Sequence, residues 1–260
     1  MAPSTIEEDS TMGMLAGKTA LVTGGSSGIG LAAAAAFAAE GAQVVITGRR
    51  RQAIDAALER IGPGAVGIQG DVADIAHHEA VAREVRARFH ALDVYMANAG
   101  VNTIQPSAAV AEEDYDAQFA TNARGVFFGV QKILPVMRDG GSVILTGSIA
   151  ANRVLDGHAV YAGSKAAIGA FARAWALELG ARGIRVNVLS PGPTDTAILD
   201  KLGIAPEDRA AFGQAMADAI PLGRMGRADE LARAALFLAS DASSFVTGID
   251  LRVDGGMSLR

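Results

Sequence analysis

The sequence TGGSSGIG, residues Thr23 to Gly30, lies between an apolar run at Thr19–Val22 and an alanine-rich stretch of helical length at Ile29–Glu40. Glycine permits the positive φ angles of a tight turn and lets a bound group come close to the main chain. A helix that begins directly after such a turn presents free N–H groups to a phosphate. The stretch therefore predicts a strand–turn–helix unit that holds the pyrophosphate of a dinucleotide.

The rest of the chain repeats this alternation of strand and helix. Six further apolar runs are predicted to be strands: Gln43–Thr47, Ala65–Gln69, Leu92–Met96, Ser142–Thr146, Ile184–Leu189 and Ile249–Val253. The further stretches of helical length are Arg50–Ile61, Ile75–Phe89, Asp114–Met137, Val160–Ala181 and Asp229–Ala239. Regular alternation with continuously apolar strands predicts an α/β, Rossmann-type doubly wound fold, with a seven-stranded parallel sheet and helices on both faces.

The sequence predicts one domain. At 260 residues the chain suits a single Rossmann-type domain. We expect this domain to occupy residues 17–260, after a flexible tail at residues 1–16. The proline-containing stretch at residues 193–222 is long for a plain connection, so we expect it to form a substrate-binding loop or lid.

Composition argues against several classes of function. The net charge of −5 gives no reason to expect binding to nucleic acid or to an anionic membrane. The chain has no cysteine, which excludes disulfides and thiolate chemistry, and no His, Asp or Glu grouping has the spacing of a metal site. There is no secretory signal pattern, and the longest apolar stretch, Leu31–Ala39, is too short to span a bilayer. We expect a cytoplasmic protein that acts on a small molecule.

The end of the second predicted strand indicates which dinucleotide is bound. Dinucleotide folds often place an acid there, roughly 20 residues past the glycines, which binds the ribose 2′-hydroxyl. Here Gly48 occupies that position, Arg49, Arg50 and Arg51 follow, and no Asp or Glu occurs from Gly41 to Arg51. An arginine can pair with a 2′-phosphate, so the sequence favours NADP(H) over NAD(H). The alternative is that these arginines are only the solvated start of the second helix.

The segment YAGSK, Tyr161 to Lys165, supplies an acid–base group. On a helix, residues four apart share one face, so the Tyr161 phenol and the Lys165 ammonium lie close together. A nearby cation favours the phenolate and lowers the pKa of the phenol from its usual value near ~10. Ser148, just after a predicted strand, can hydrogen-bond the same substrate oxygen. The cluster predicts proton transfer to or from an alcohol or carbonyl oxygen.

In their order and spacing, these motifs resemble those of the short-chain dehydrogenase/reductase family. The resemblance covers Gly17 to Met257 and rests on TGxxxGxG at Thr23–Gly30, NAG at Asn98–Gly100, Asn122, Ser148, YxxxK at Tyr161–Lys165 and PG at Pro191–Gly192. It implies hydride transfer between a nicotinamide cofactor and a ketone or secondary alcohol, in a homotetramer. Tyr161 would be the general acid or base, with its pKa lowered by Lys165. Lys165 would also bind the nicotinamide ribose, Ser148 would polarise the carbonyl, and Asn122 would hold a water beside Lys165.

The expected contact residues divide between cofactor and substrate. Those expected at the cofactor are Gly24, Ser26, Ser27, Gly28, Ile29, Gly30, Arg49, Arg50, Asp71, Val72, Asn98, Ala99, Gly100, Tyr161, Lys165, Pro191, Gly192, Thr194 and Thr196. Among them, Asp71 is expected at the adenine amino group and Asn98 at the adenosine ribose. Those expected at the substrate are Ser148, Ile149, Ala150, Leu155, His158, Tyr161, Ile198, Leu202, Phe212 and Met216. The many apolar side chains predict a largely apolar ketone or secondary alcohol, since a sugar would need several placed hydrogen-bonding groups.

Three other functions fit parts of the same pattern. The first is a 3-oxoacyl-(carrier protein) reductase of fatty-acid type, whose members dock an acidic carrier through basic residues near the site entrance. It ranks second, because the corresponding helices here have Phe128 and Leu177, with only Arg124 and Arg173 nearby. The second is an NAD-dependent alcohol, steroid or sugar dehydrogenase of the same family. The third is an NADP-binding sensor or scaffold, against which the complete catalytic set argues, because a pure binder needs no tuned acid.

The four histidines are expected in two kinds of environment, the protein surface and the substrate pocket. His77, His78 and His90 fall on a predicted helix or at its end, and we expect them to be solvated surface groups. His158 lies three residues before Tyr161 and is a candidate for the mouth of the substrate pocket.

Overall fold

A parallel sheet forms the centre of the protein, whose computed structural model describes residues 12–196 and 209–260. The strands in these residues are β1 (Thr19–Thr23), β2 (Gln43–Gly48), β3 (Val66–Gln69), β4 (Leu92–Ala97), β5 (Met137–Thr146), β6 (Arg185–Pro191), β7 (Thr194–Asp195), β8 (Gly226–Arg227) and β9 (Asp250–Val253). Seven of them form one sheet in the order β3-β2-β1-β4-β5-β6-β9, while β7 and β8 form a separate short pair. The pairings within the large sheet are all parallel, so the predicted doubly wound fold is confirmed.

Helices cover both faces of this sheet. They are α1 (Gly28–Ala39), α2 (Arg51–Ile61), α3 (Ile75–Phe89), α4 (Glu112–Phe119), α5 (Gly125–Ile133), α6 (Ala159–Glu178), α7 (Arg209–Ala219) and α8 (Ala228–Ala239). The core on one face is formed with α1, α2 and α8, and the core on the other with α3, α5 and α6.

The strands are continuously apolar because neighbouring residues point into different cores. Val22 and Ile46 belong to the core beside α1, whereas Leu21 and Val45 belong to the core beside α3. All four side chains are fully buried. Side chains alternate across a strand, so a sheet covered on both faces needs apolar residues at every position.

The predicted helix Asp114–Met137 is wrong as a single element. It is divided into α4, a π-helical turn at Ala120–Arg124, and α5, and Met137 already begins β5. Pro135 lies in a short 3₁₀ turn after α5, and proline cannot continue the helical hydrogen-bond pattern. The π turn contains the fully buried Asn122, and such turns often mark functional sites.

The predicted tail also begins to fold earlier than expected. The Leu15 side chain is completely buried in the core beside α1. The Leu15 N–H donates to the Glu40 carbonyl oxygen at 2.9 Å, and the Met14 N–H donates to the Glu40 carboxylate at 2.8 Å. The tail prediction is therefore wrong for residues 13–16, because the buried Leu15 side chain and the hydrogen bonds to Glu40 hold this segment against the core. Residues 1–11 lie outside the described part of the chain.

Two histidines of α3 are buried, contrary to the prediction of surface groups. His77 is 8% exposed and His78 is 2% exposed, whereas His90 at the helix end is exposed as expected. His77 is four residues from the buried Val81, which places both on the apolar face of α3. His78 is buried as well, and its Nε2 donates to the Val72 carbonyl oxygen at 2.8 Å.

Candidate active site

A cavity of about 780 Å³ opens at the carboxyl ends of the strands. The strand order reverses between β1 and β4, since the chain runs outward from β1 to β3 on one side and from β4 onward on the other. Connections leave such a point in opposite directions, and doubly wound folds bind their ligands in the crevice that results.

The glycine-rich loop after β1 forms one end of the cavity. Gly24 and Gly28 have positive φ angles of 65° and 54°, which side chains disfavour. A Cβ on Gly30 would lie 2.5 Å from the Gly24 carbonyl oxygen, so only glycine lets α1 start this close to the loop. Ser27, at the N-cap of α1, makes no capping hydrogen bond with its side chain within the described chain. The first N–H groups of α1 therefore suit the phosphates of a dinucleotide.

Hydrogen bonds fasten this loop to the end of β4. The Thr23 hydroxyl oxygen accepts from the N–H groups of Asn98 at 3.0 Å and Ala99 at 3.1 Å. The Asn98 side-chain amide donates to the Thr23 carbonyl oxygen at 3.0 Å. Asn98 was expected at the adenosine ribose, and it does line the cavity. Its amide nitrogen, however, holds the two strand ends together.

Two arginines line the cavity where β2 ends. Gly48 closes the strand, and a Cβ on it would lie 3.0 Å from the Ser26 hydroxyl oxygen, so the strand end and the glycine-rich loop are adjacent. Arg49 and Arg50 follow and are exposed on the cavity wall. Arg51 instead pairs with Asp55 along α2 at 2.5 Å. This corner of the cavity thus has two cations and no carboxylate between Gly41 and Arg51.

The turn after β3 forms the wall beside these arginines. Asp71 and Val72 both line the cavity. One Asp71 carboxylate oxygen accepts from the Ala73 N–H at 2.9 Å, which sets the shape of the turn. The Val72 carbonyl oxygen is held by His78, so this turn rests on the buried histidines of α3.

The opposite end of the cavity contains the acid–base residues of α6. Tyr161 and Lys165 are one helical turn apart, and the Lys165 Nζ lies 5.9 Å from the centre of the Tyr161 ring. Lys165 is 4% exposed, and its Nζ donates to the Thr146 carbonyl oxygen at 2.8 Å. Ser148 follows β5 and is hydrogen-bonded to the Tyr161 side chain. The Ser148 hydroxyl oxygen also accepts from the Ala150 N–H at 3.1 Å, which orients the Ser148 side chain.

Burial dominates the electrostatics of this cluster. Burial lowers the pKa of Lys165 to about 8, because a buried ammonium loses its hydration. Burial raises the pKa of the Tyr161 phenol, while its hydrogen bond with Ser148 acts in the opposite direction. The expected net lowering of the Tyr161 pKa is therefore wrong for this arrangement. Tyr161 is protonated at neutral pH, the form in which it can donate to a carbonyl oxygen.

Asn122 lies beneath this cluster and not on the cavity wall. Its side-chain oxygen accepts from the Val101 N–H at 2.9 Å, and its amide donates to the Val101 carbonyl oxygen at 2.8 Å and to the Ser164 hydroxyl at 3.1 Å. A Cβ on Gly100 would lie 3.3 Å from the Asn122 oxygen and 3.4 Å from the Lys165 Nζ. Asn122 and Lys165 therefore converge on Gly100, and Ser164 joins the π turn to α6.

The cavity end beyond Ser148 and Tyr161 is mostly apolar. The residues on its wall are Asn102, Ile104, Ile149, Ala150, Arg153, Leu155, His158, Met216 and Met257. The Arg153 Nε donates to the Arg260 carbonyl oxygen at 3.0 Å, which brings the last residues of the chain to this wall.

Comparison with known proteins agrees with this geometry. A family model described as enoyl-(acyl carrier protein) reductase matches residues 24–258. An oxidoreductase of Sarocladium schorii, asL5, is 43% identical over 94% of this chain and 97% of its own length. A D-threitol dehydrogenase of Mycolicibacterium smegmatis is 37% identical over 95% of each chain. A 3-oxoacyl-[acyl-carrier-protein] reductase of Thermotoga maritima is 35% identical over 94% of this chain and 98% of its own.

Solved structures show the same relationship. A short-chain dehydrogenase/reductase from Serratia marcescens superimposes with a TM-score of 0.87 at 34% identity, covering 94% of this chain and 99% of the other. The chain belongs to the short-chain dehydrogenase/reductase family. It is accordingly an oxidoreductase of a family that uses a nicotinamide cofactor, NAD(P)(H).

The predicted site residues of this short-chain dehydrogenase/reductase converge on one cavity, with few exceptions. Gly30 is packed behind the loop, and Asn122 is buried below the wall. Ile198 and Leu202 lie outside the described residues, as does the Phe212 side chain. Much of the predicted lid at 193–222 therefore stays a prediction.

Some residues of the short-chain dehydrogenase/reductase site had no sequence signal of their own. Ile104, Arg153 and Met257 line the cavity although no motif includes them. Ser164 lies within the YAGSK segment, which is the one signal that could have identified it. In the described residues there is no group of three or more His, Asp or Glu side chains placed to hold a metal, and no helix long and apolar enough to cross a membrane.

Proposed function

We propose that the protein transfers a hydride between NADP(H) and a largely apolar ketone or secondary alcohol, with Tyr161 as general acid and base. The observation on which this proposal chiefly rests is the hydrogen-bonded pair Ser148 and Tyr161 above the buried Lys165. This pair shares one cavity with a glycine-rich loop whose geometry fits a dinucleotide.

Each catalytic side chain has a distinct task. In the direction of reduction, Ser148 and Tyr161 donate hydrogen bonds to the substrate carbonyl oxygen, and Tyr161 then gives up its proton as the oxygen gains electrons. Lys165 supplies a positive charge that stabilises the resulting phenolate. Asn122 keeps the segment beside Lys165 in place through Val101. When bound, the nicotinamide cofactor supplies or accepts the hydride.

The proposed preference for NADP(H) rests on the corner of the cavity formed by Gly48, Arg49 and Arg50. Two exposed guanidinium groups line the wall there, with no carboxylate between Gly41 and Arg51. A guanidinium forms paired hydrogen bonds with a phosphate, whereas a carboxylate would repel it. Asp71 and Val72 would contact the adenine, and Pro191, Gly192, Thr194 and Thr196 would contact the nicotinamide end.

Turnover of ketones tests the proposed reaction. NADPH oxidation is followed by absorbance with a panel of aryl and aliphatic ketones, and at least one is expected to be reduced. Tyr161→Phe should lower kcat by roughly 100-fold or more, because the general acid is lost. Tyr115→Phe is the matched control, since Tyr115 is 45% exposed, stacks on Phe119 and does not line the cavity. Intact NADPH binding without turnover of any ketone would instead support a cofactor sensor.

A pair of arginine variants tests the proposed cofactor preference. Arg49→Ala should reduce the ratio of kcat/KM with NADPH to kcat/KM with NADH by about tenfold, because a phosphate contact is lost. Arg51→Ala should leave the ratio as it was, since Arg51 is paired with Asp55. A wild-type preference for NADH, or an unchanged ratio in Arg49→Ala, would show that the arginines do not recognise a 2′-phosphate.

Reduction of a carrier-bound 3-oxoacyl group is the second candidate. The description of the matching family model and the Thermotoga maritima relative favour it. An acidic carrier would need several free basic groups near the entrance. Of the two candidates, Arg124 donates to the Ala73 carbonyl oxygen and lies 5.7 Å from the centre of the Phe128 ring, which leaves only the exposed Arg173. We therefore place it second. Activity confined to acyl thioesters in the same assay would reverse this order.

A homotetramer is the proposed assembly. The family resemblance suggests it, and large apolar side chains on the surface support it. Leu177 of α6 is 85% exposed, and Phe245 and Ile249, just before β9, are 104% and 39% exposed. Large apolar side chains exposed on a surface are typical of contacts between proteins.

A further inference from the structure

Two buried imidazole rings lie directly behind the part of the cavity wall where the adenosine half of the cofactor is proposed to bind. The turn Gly70–Val72 forms this part of the wall. His77 and His78, on the first turn of α3, are 8% and 2% exposed, and neither lines the cavity. The two rings therefore support the wall from behind without touching a bound ligand.

The His77 ring occupies the space where a side chain at position 70 would lie. A Cβ on Gly70 would overlap this ring, with the His77 Nδ1 as its nearest atom. The Gly70 N–H donates to the Gly48 carbonyl oxygen at 2.9 Å. The side-chain amide of the preceding Gln69 donates to the Arg49 carbonyl oxygen, also at 2.9 Å. His77 thus packs against the residues that join the end of β3 to the end of β2.

The His78 ring holds the other end of the turn. Its Nε2 lies 2.8 Å from the Val72 carbonyl oxygen, which can only accept, so Nε2 carries the proton. The same carbonyl is covered by the start of α5, since a Cβ on Gly125 would lie 2.6 Å from its oxygen. The main chain of Val72, which lines the cavity, is therefore fixed from two sides.

The surroundings of both rings suit the neutral imidazole. In the imidazolium form both ring nitrogens carry protons. The buried His77 Nε2 has no hydrogen-bond partner in the described chain, so it would then be a donor without an acceptor. Burial lowers the pKa of both histidines, while Asp74 acts in the opposite direction on both and Asp71 on His77. The Asp71 carboxylate thus acts on the ring behind the wall, and Asp71 also lines the cavity in front of it.

The other charged groups on the packed elements have partners of their own. Glu79 of α3 pairs with Lys132 of α5 at 2.8 Å. Arg124 of the π turn donates to a main-chain carbonyl oxygen of the turn before α3 at 2.9 Å. From β4 the buried Tyr95 phenol faces His78, and burial raises the pKa of this phenol, so it remains neutral. Among the described residues, these elements offer a protonated ring no free counter-charge.

We propose that His77 and His78 are positioning residues for the cofactor: as neutral rings they hold the turn Gly70–Val72 in its binding shape, and protonation of either ring weakens cofactor binding. The inference rests on the proposed contacts of Asp71 and Val72 with the adenine and does not depend on the substrate. An imidazolium behind the turn is stabilised by admitting water or by turning the Asp71 carboxylate towards it. Either change takes a contact away from the cofactor.

Calorimetric titration tests the proposal with NADP+ or NAD+, whichever binds more tightly at pH 7.5. Between pH 7.5 and pH 5.5 the Kd should rise at least about threefold more in the wild type than in His77→Gln/His78→Gln, because the free wild type takes up protons that the complex does not. Glutamine keeps an N–H donor for Val72 but does not titrate. The 2′-phosphate of NADP+ titrates near pH ~6 in both proteins, so its effect cancels in the comparison.

Further variants separate positioning from a general loss of structure. At pH 7.5, His78→Leu removes the donor to Val72 and should raise Kd by about threefold or more, whereas His78→Gln should restore it. His90→Gln is the matched control, since His90 is exposed at the end of the same helix and should leave the pH dependence as it was. Calorimetry also gives the number of binding sites, so unfolded protein lowers that number and not the affinity.

The wild type itself provides a second measurement that needs no folded variant of α3. The imidazole C–H signals of the four histidines are followed by NMR as a function of pH, with and without the cofactor. Linkage is reciprocal, so bound cofactor should lower the proton affinity of His77 or His78 by the same factor of about threefold or more. The His90 titration should stay unchanged.

The outcomes separate this inference from the proposed function. If the cofactor binds but the pH dependence of Kd is equal in the wild type and the double variant, the inference is overturned, and reduction of a ketone would still support the proposed function. Titrations of His77 and His78 that ignore the cofactor, or a pH dependence lost equally in His90→Gln, also overturn it. If neither cofactor binds, the proposed function fails and this inference fails with it.

Discussion

Lys165 is an ionisable group in an environment that differs strongly from water. It is almost fully buried, its Nζ donates to the Thr146 carbonyl oxygen, and burial lowers its pKa to about 8. Burial also raises the pKa of the neighbouring Tyr161 phenol. Both shifts favour the uncharged forms at this end of the cavity. The resting site disfavours charged side chains. Interactions that stabilise charge only in the transition state therefore contribute most to the rate of the reaction.

Substitution of Lys165 should change how stability depends on pH. The pKa falls from 10.5 to about 8 on folding, so between these values the unfolded chain binds a proton that the folded chain does not. Stability therefore rises with pH across this window, by roughly 3 kcal/mol from this group. In Lys165→Met the contribution is absent, so the wild type should gain stability relative to the variant between pH 8 and pH 10.5.

Urea unfolding of both proteins across this pH range measures the difference. Lys18→Met serves as the control, since Lys18 lies at the surface in an ion pair with Asp241. A difference between wild type and Lys165→Met that stays constant with pH would contradict the burial argument.

At the scale of elements, helix α3 has two buried histidines at positions where the sequence predicted surface groups. His77 and His78 pack against the turn Gly70–Val72, which forms part of the cavity wall. Burial lowers the pKa of both histidines, while Asp74 acts in the opposite direction on both and Asp71 on His77. The cavity wall at this turn therefore rests on two buried histidines whose protonation is disfavoured.

Acidification should destabilise the fold through this helix. As pH falls below the ordinary histidine pKa of about 6.5, the unfolded chain takes up protons that the folded chain does not bind, so the free energy of unfolding decreases. The double variant His77→Gln/His78→Gln removes both groups and keeps an N–H donor for Val72. Its urea midpoint should fall less between pH 8 and pH 5.5 than that of the wild type.

The exposed His90 offers the control, because His90→Gln should leave the wild-type pH dependence in place. Equal slopes in the wild type and the double variant would mean that His77 and His78 do not determine the acid sensitivity.

At the scale of the whole molecule, the sheet is covered on both faces but its β9 edge is open within the described chain. Strand β6 pairs with β9, which has no further strand beyond it in the order of the sheet. Phe245 and Ile249 are exposed just before β9, and Leu177 is exposed on α6. Unpaired strand edges with apolar neighbours favour contact with another chain.

Light scattering should therefore give a mass near four times the 26.6 kDa of the chain. Phe245→Ser together with Leu177→Ser should lower this mass, because the substitutions remove exposed apolar area from the expected contact. A wild-type mass equal to one chain at micromolar concentration would exclude the proposed tetramer.

Local patterns in the sequence predict the order of the elements, the glycine-rich loop and the acid–base segment. Each depends on short-range chemistry: apolar runs covered on both faces form strands, glycine permits the turn, and residues four apart share a helix face. For the same reason the ends of most strands were predicted to within one or two residues, and the predicted α3 was identical to the observed helix.

The burial and hydrogen bonding of individual side chains depend instead on how the elements pack together. The burial of Leu15, His77 and His78 depends on which helix faces the sheet, and the direction of the Tyr161 pKa shift depends on all the elements that exclude water from it. Burial and hydrogen bonding sum over neighbours far apart in the chain, so no local pattern contains them.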